Sequence, residues 1–102
     1  MEKVRLEAVS RLNKRIVLAE PRWKLITETK HPEVIGKEEE VKAALESPDE
    51  IRESRKDEKV HLHYKKAGNY SMCVVTKSNG EGFVITAYMT DRIKEGKQIY
   101  KR

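Results

Sequence analysis

Four strand-like segments follow one another between residues 51 and 88, and they constrain the fold more than any other feature of the chain. They span residues 51–55, 60–66, 70–77 and 82–88, with the alternation and the β-branched or aromatic content of strands. The connections at 56–59, 67–69 and 78–81 are short and polar. Because connections this short join neighbouring strands as hairpins, the pattern predicts an antiparallel meander of four strands.

Prolines mark the ends of two short helices before this meander. Pro21 predicts a helix start, because proline is favoured at the first helical position. Pro32 should end that helix near His31, since the residue before a proline is pushed out of the α region. A second helix is predicted at 38–47, with acids in its first turn and Pro48 after it. The expected core residues of the two helices are Trp23, Ile26, Leu25 as a third candidate, Val41, Ala44 and Leu45.

The N-terminal segment supports two interpretations. Val4, Leu6 and Ala8 alternate with other residues, and Ile16 and Leu18 do so again, which indicates a β-hairpin with its turn near 13–14. A short amphipathic helix over 4–12 is the competing interpretation. The expected fold class is therefore α+β, with two short helices on one face of a four-stranded antiparallel sheet and an N-terminal hairpin as an optional addition. Residues 1–102 are expected to form one domain.

Apolar runs and cysteine content indicate the compartment. The longest apolar runs fall far below the roughly 20 residues of a membrane span, and no basic-then-apolar leader opens the chain. Cys73 is the single cysteine and lies in the apolar run at 72–75, so it is expected to be a buried thiol. We therefore expect a cytoplasmic protein without membrane association.

Charge is distributed in blocks. The net charge is +5, and residues 1–30, 31–60 and 61–102 carry +4, −4 and +5 respectively. A protein with two basic blocks around an acidic one can present a basic face to a polyanion such as RNA. The same counts also fit an ordinary lysine-rich, solvated surface.

The candidate chemistry is metal-free cleavage of RNA. That reaction deprotonates the 2′-hydroxyl, stabilises the charge on phosphorus and protonates the 5′-oxygen. His31 is the leading candidate, because a helix C-terminus favours the imidazolium that a general acid needs. Arg52 or Arg55 could stabilise the charge, while Tyr64, Thr86 and Tyr88 could hold the phosphate or assist proton transfer. Each of these residues also has an ordinary structural explanation.

Other site chemistries receive little support. His61 and His63 share one face of their strand, but two histidines without further ligands predict no metal site. The chain has no glycine-rich phosphate loop, Cys-x-x-Cys pair or nucleophile elbow. No metal and no cofactor are therefore expected.

Four segments together resemble a known nuclease superfamily. They are RW at 22–23, HPEV at 31–34, SPDEIRES at 47–54 and VITAY at 84–88. Their order and spacing are similar to those of phage and mobile-element nucleases of the barnase/EndoU/colicin/RelE-like superfamily, over roughly residues 15–100. The resemblance implies two helices on a four-stranded antiparallel sheet and metal-independent RNA endonuclease activity, in toxin–antitoxin or phage-conflict settings. RNA is the implied partner, with an antitoxin or immunity protein as a further candidate.

The resemblance also assigns residues. The family's histidine before proline falls on His31, its strand serine on Ser54 with Arg52 beside it, its sheet tyrosine on Tyr64 and its Thr-Ala-Tyr on 86–88. One position departs from the pattern, because Leu25 stands where relatives often have a histidine two residues after the tryptophan. The expected catalytic set is His31, Arg52, Tyr64, Thr86 and Tyr88, and the expected RNA-binding set is Ser54, Arg55, Lys65, Arg92 and Lys94.

Three functional hypotheses follow. The first is a ribonuclease in which the catalytic set converges on one basic patch. The second is a non-catalytic RNA- or protein-binding module of the same fold, whose RNA binding would weaken steeply with salt. The third is a structural or adaptor domain, which a covered sheet face would favour.

Overall fold

The computed structural model describes residues 3–93 and 96–102, and a seven-stranded mixed sheet forms its centre. The strands are β1 Val4–Val9, β2 Arg15–Ala19, β3 Glu50–Glu53, β4 Val60–Ala67, β5 Tyr70–Asn79, β6 Glu81–Thr90 and β7 Lys97–Lys101. Their order in the sheet is β1-β2-β6-β5-β4-β3-β7. The α+β class and the central meander are confirmed. The four-stranded antiparallel sheet is wrong, because strands from both ends of the chain extend the meander.

The N-terminal hairpin joins the sheet through a parallel pair. β1 and β2 are antiparallel, with Ala8 opposite Ile16, and Asn13 takes a positive φ of 63° in the turn. The hairpin interpretation is therefore confirmed over the helical one. β2 pairs with β6 in parallel at only two positions, Ile16 with Gly82 and Val17 with Phe83. At the other end, the chain terminus forms β7 on β3.

Gly82 lies where β2 and β6 approach too closely for a side chain. An ideal Cβ there would be 2.5 Å from Ile16 Cδ1 and 2.7 Å from the Arg15 carbonyl oxygen. Because that backbone oxygen cannot rotate away, we expect Gly82→Ala to lower the free energy of unfolding by about 1–3 kcal/mol in denaturant titrations. Asn79→Ala, at an exposed position of the same hairpin, should change it by less than about 0.5 kcal/mol. Equal stability of Gly82→Ala and the parent protein would contradict this close packing.

Prolines lie near the start of the first helical segment and directly after its end. Helix α1, Glu20–Leu25, has Pro21 in its first turn and continues directly as a π-helical turn, Ile26–Lys30. This unit ends at His31, as predicted, and a 3₁₀ turn follows at Pro32–Val34. Helix α2 spans Glu38–Glu46. No helix in residues 3–93 or 96–102 is long and apolar enough to cross a membrane.

The helices pack on one face of the sheet, which we call the helix face. Trp23, Ile26 and Val41 are buried there against Met72 and Val74 of β5. Ala44 and Leu45 are fully buried in the same cluster, whereas Leu25 is 40% exposed. The core predicted for the helices is confirmed except at Leu25. The opposite side of the sheet, which we call the open face, has a small cluster of its own, formed by Leu62, Tyr64 and Cys73.

A β-bulge in β6 decides which of its residues reach the open face. Val75 of β5 is opposite Thr86, but the next residue, Thr76, is opposite Val84, so Ile85 is the extra residue. Val84 therefore joins the buried core of the helix face, while Thr86 lies on the open face with Val75. Strict alternation predicts one shared face for Val84, Thr86 and Tyr88, and this is wrong for Val84 because the bulge breaks the period of two.

Candidate functional site

Two rows of opposed residues cross the open face. Strand pairing places each member directly opposite the next in the neighbouring strand. The first row is Thr86, Val75, Leu62 and Arg52, and the second is Tyr88, Cys73, Tyr64 and Glu50. Neighbouring strands are about 4.8 Å apart, so the backbones of Thr86 and Arg52, three spacings apart, are separated by about 14 Å. The open face thus brings β6 groups near β5 and β4 but far from β3.

A concavity of about 440 Å³ lies between the first row and the loop after β3. Its floor is apolar, with polar and charged groups at its two ends. The lining residues are Ser54, Arg55, Lys56, Val60, Leu62, Val75, Thr86 and Tyr88. A surface with an apolar floor and a few convergent polar groups is typical of ligand-binding sites.

Backbone and side-chain hydrogen bonds fix the turn after β3 that carries Arg55 and Lys56. The Ser54 amide donates to the Val60 carbonyl at 2.9 Å, and the Lys56 amide donates to Ser54 Oγ at 3.3 Å. The Lys59 amide donates to Asp57 Oδ1 at 2.9 Å, and this bond, with Lys77 beside it, lowers the pKa of Asp57. The short turn therefore places the charges of Arg55 and Lys56 at one end of the apolar floor.

His31 lies against Tyr88, one of the residues that line the concavity. The centroids of the two rings are 5.3 Å apart, with planes inclined by 35°. The His31 side chain is 32% exposed, and its Nδ1 lies 3.4 Å from Glu33 Oε2. Nδ1 therefore faces a carboxylate, and Nε2 lies on the other side of the ring. Helix termination before Pro32 thus carries an imidazole to the edge of the open face.

Tyr88 supports His31 with its ring, while its hydroxyl points into the sheet cluster. Burial raises the pKa of Tyr88, and the neighbouring Cys73 and Tyr64 raise it further. Both neighbours are almost fully buried, and the Tyr88 hydroxyl oxygen is itself inaccessible. Tyr88 therefore keeps its proton at physiological pH and cannot act as a base. Tyr64 lies beneath it as a buried support.

Thr86 contributes a buried hydroxyl at the wall of the concavity. Its Oγ1 has no hydrogen-bond partner among the described residues. Buried polar atoms normally have partners, since leaving one unpaired is costly.

The Arg52 side chain binds other residues of the protein and does not line the concavity. Its Nε contacts Glu50 Oε2 in a close ion pair, and its Nη1 donates to the Gly96 carbonyl at 3.1 Å. Its backbone also lies three strand spacings from Thr86. The structure therefore brings His31, Thr86, Tyr88 and the buried Tyr64 together, and it leaves Arg52 apart from them.

The expected RNA-binding residues are divided between the two faces. Ser54 and Arg55 line the concavity, whereas Lys65 is opposite Met72 on the helix face, and its Nζ donates to the Ser47 carbonyl at 2.8 Å. Strand alternation thus directs Lys65 to the helix face, away from the concavity. Arg92 is exposed just after β6, in a turn closed by Thr90 Oγ1. Lys94 lies outside the described residues.

His61 and His63 also belong to the helix face. His63 is opposite Val74 and His61 is opposite Thr76, and both histidines are buried. His63 Nε2 lies 3.0 Å from Thr76 Oγ1. Burial, followed by the nearby His61, lowers the pKa of His63 to about 3. Over residues 3–93 and 96–102, no three His, Cys, Asp or Glu side chains form a group that could hold a metal ion.

Sequence reasoning missed several residues of the site. Lys56, Leu62 and Val75 line the concavity, and Glu33 contacts His31. The alternation that places Leu62 and Tyr64 on one strand face was a usable signal for part of the floor. No sequence signal identifies Val75 or Lys56, because their roles depend on strand register and on a loop conformation.

Comparison of the chain with protein-family models, curated proteins and solved structures found no match.

Proposed function

We propose that this protein is a metal-independent RNA endonuclease of toxin or phage-conflict type, which cleaves through attack of the 2′-hydroxyl with His31 as acid or base. The observation that carries the proposal is the imidazole of His31, whose ring centroid lies 5.3 Å from that of Tyr88, a residue that lines the apolar concavity together with Arg55 and Lys56. Imidazole is the side chain suited to proton exchange near neutral pH. The other two histidines lie on the helix face.

The geometry supports a division of roles. His31 Nε2 would exchange the proton of the reacting ribose or of the leaving 5′-oxygen, while Glu33 holds the other ring nitrogen. Tyr88 would position the imidazole through ring contact. Arg55 is the cation at the concavity that best suits a phosphate, since a guanidinium binds phosphate oxygens with two parallel hydrogen bonds. Arg52 would instead stabilise β3 and β7 through Glu50 and Gly96.

Cleavage of labelled RNA in the presence of EDTA tests the proposal. We expect cleavage to continue with metal chelated and to produce 2′,3′-cyclic phosphate ends, because the 2′-oxygen becomes the nucleophile and displaces the 5′-oxygen. An otherwise identical substrate with 2′-fluoro sugars is the control and should remain intact. Loss of activity in EDTA, or cleavage of the 2′-fluoro substrate, would refute the mechanism.

A non-catalytic RNA- or protein-binding module is the second candidate function. Two observations favour it. The Arg52 side chain binds Glu50 and Gly96 within the protein, and burial keeps the Tyr88 hydroxyl protonated. Both reduce the number of groups that can take part in proton transfer or charge stabilisation. RNA binding that weakens steeply with salt, without any cleavage product, would favour this module over the endonuclease.

A further inference from the structure

We infer that the open face binds unpaired, unstacked RNA, with one base on the apolar floor of the concavity and a neighbouring base stacked on Phe83. This inference deepens the proposed function and rests on RNA being the ligand. It concerns how RNA is bound, however, and does not require that the bound RNA is cleaved.

The floor of the concavity favours the flat surface of a base. Val60, Leu62 and Val75 present adjacent aliphatic side chains from β4 and β5. In a duplex the flat surfaces of the bases are covered by their stacked neighbours, and only groove edges and backbone are accessible. An apolar floor can therefore contact a base only when the strand is single and the base is unstacked.

Phe83 supplies an aromatic surface next to this floor. It is 41% exposed, and it is opposite Lys77, which is in turn opposite Val60 of the floor. The bulge at Ile85 separates Phe83 from Thr86 along β6. Exposed aromatic rings on a sheet are the usual platforms on which single-stranded bases stack. A strand crossing β6 and β5 would thus contact the Phe83 ring and the aliphatic floor in succession.

Charge complementarity indicates nucleic acid as the occupant. Arg55 and Lys56 lie at the end of the concavity next to β3, and Arg92 is exposed beyond the C-terminal end of β6. Cations beside an apolar floor match a ligand whose phosphates alternate with flat apolar bases. A peptide made only of acidic residues, such as polyglutamate, would satisfy the cations but would leave the Phe83 ring and the aliphatic floor without a matching partner.

Fluorescence anisotropy with a short 2′-fluoro RNA, which cannot be cleaved through the 2′-oxygen, tests this inference separately from catalysis. We expect the single strand to bind about 10-fold or more tightly than the same strand annealed to its complement. Phe83→Leu should weaken single-strand binding by about 5- to 100-fold, the loss of one stacked base. Tyr70→Leu is the matched control, because Tyr70 is 53% exposed at the β4–β5 turn and should leave binding unchanged.

Val75→Thr provides a second variant that keeps side-chain shape and makes the floor polar. We expect it to weaken single-strand binding, whereas Val9→Thr, at a position 59% exposed on β1, should not. Equal affinity for duplex and single strand, full competition by polyglutamate, or unchanged binding by folded Phe83→Leu would each overturn the inference. Tight single-strand binding without cleavage of natural RNA would support it while refuting the endonuclease.

Discussion

Replacement of His31 by asparagine is expected to lower the rate of RNA cleavage by about 100- to 10,000-fold, the usual contribution of a positioned general acid or base. Asparagine is polar and similar in size, but it cannot exchange a proton near neutral pH. Because His31 is part of no core cluster and lies at the protein edge, the variant should fold normally. Initial rates on a labelled RNA, with circular dichroism to confirm folding, measure the effect.

Lys30→Ala is the matched control for this substitution. Lys30 is the exposed neighbour of His31 at the end of the π-helical turn, so its replacement removes a charge without removing the imidazole. We expect its cleavage rate to stay within a few-fold of the parent rate. If His31→Asn retained the parent rate, another group would have to transfer the proton, and the assignment of His31 would fail.

Acidification is expected to destabilise the fold through His63. Its pKa is lowered by burial to about 3 from an ordinary value of 6.5, so the unfolded chain binds an additional proton between these two pH values. Stability from this group is therefore fully present above pH 6.5 and is lost as the pH falls towards 3. The expected loss is about 1.4 kcal/mol for each pH unit below the unfolded-state pKa.

His63→Gln should remove most of this pH dependence. Glutamine does not titrate, and its amide can still reach Thr76 Oγ1, the present partner of the imidazole. Denaturant titrations between pH 6.5 and about pH 5, above most carboxylate pKa values, should show a smaller slope for the variant. His61, whose pKa is also lowered by burial, should contribute the slope that remains. Identical slopes for the two proteins would mean that His63 is protonated with little cost in the folded state.

The local elements were predictable because their signals lie in short stretches of sequence. Pro21 and Pro32 set the limits of α1 and its π-helical extension, and alternating residues identified the meander of β3 to β6. The same local signals placed His31 immediately after a helical segment. They could not extend the sheet correctly, because the pairing of β7 with β3 and of β2 with β6 joins segments far apart in the chain.

The sequence identified residues with suitable functional groups better than it identified which of them lie close together in the site. His31, Thr86 and Tyr88 were identifiable as residues with suitable functional groups, but their proximity depends on the strand register and on the position of the 3₁₀ turn. Arg52 and Lys65 also looked suitable for binding RNA. Their side chains instead bind Glu50, Gly96 and Ser47 within the protein, and no local pattern indicates the distant partners Gly96 and Ser47.

The sequence by itself determined the helix limits, the four strands of the meander, the buried residues of α2 and the buried thiol at Cys73, since all of these depend on local backbone restrictions and hydrophobic periodicity. Only the tertiary structure decided which residues share the open face. Strand order, register and a single bulge determine which side chains become neighbours, and one extra residue reverses the face of those that follow. The concavity between the β3–β4 loop and Tyr88 is a product of that long-range pairing.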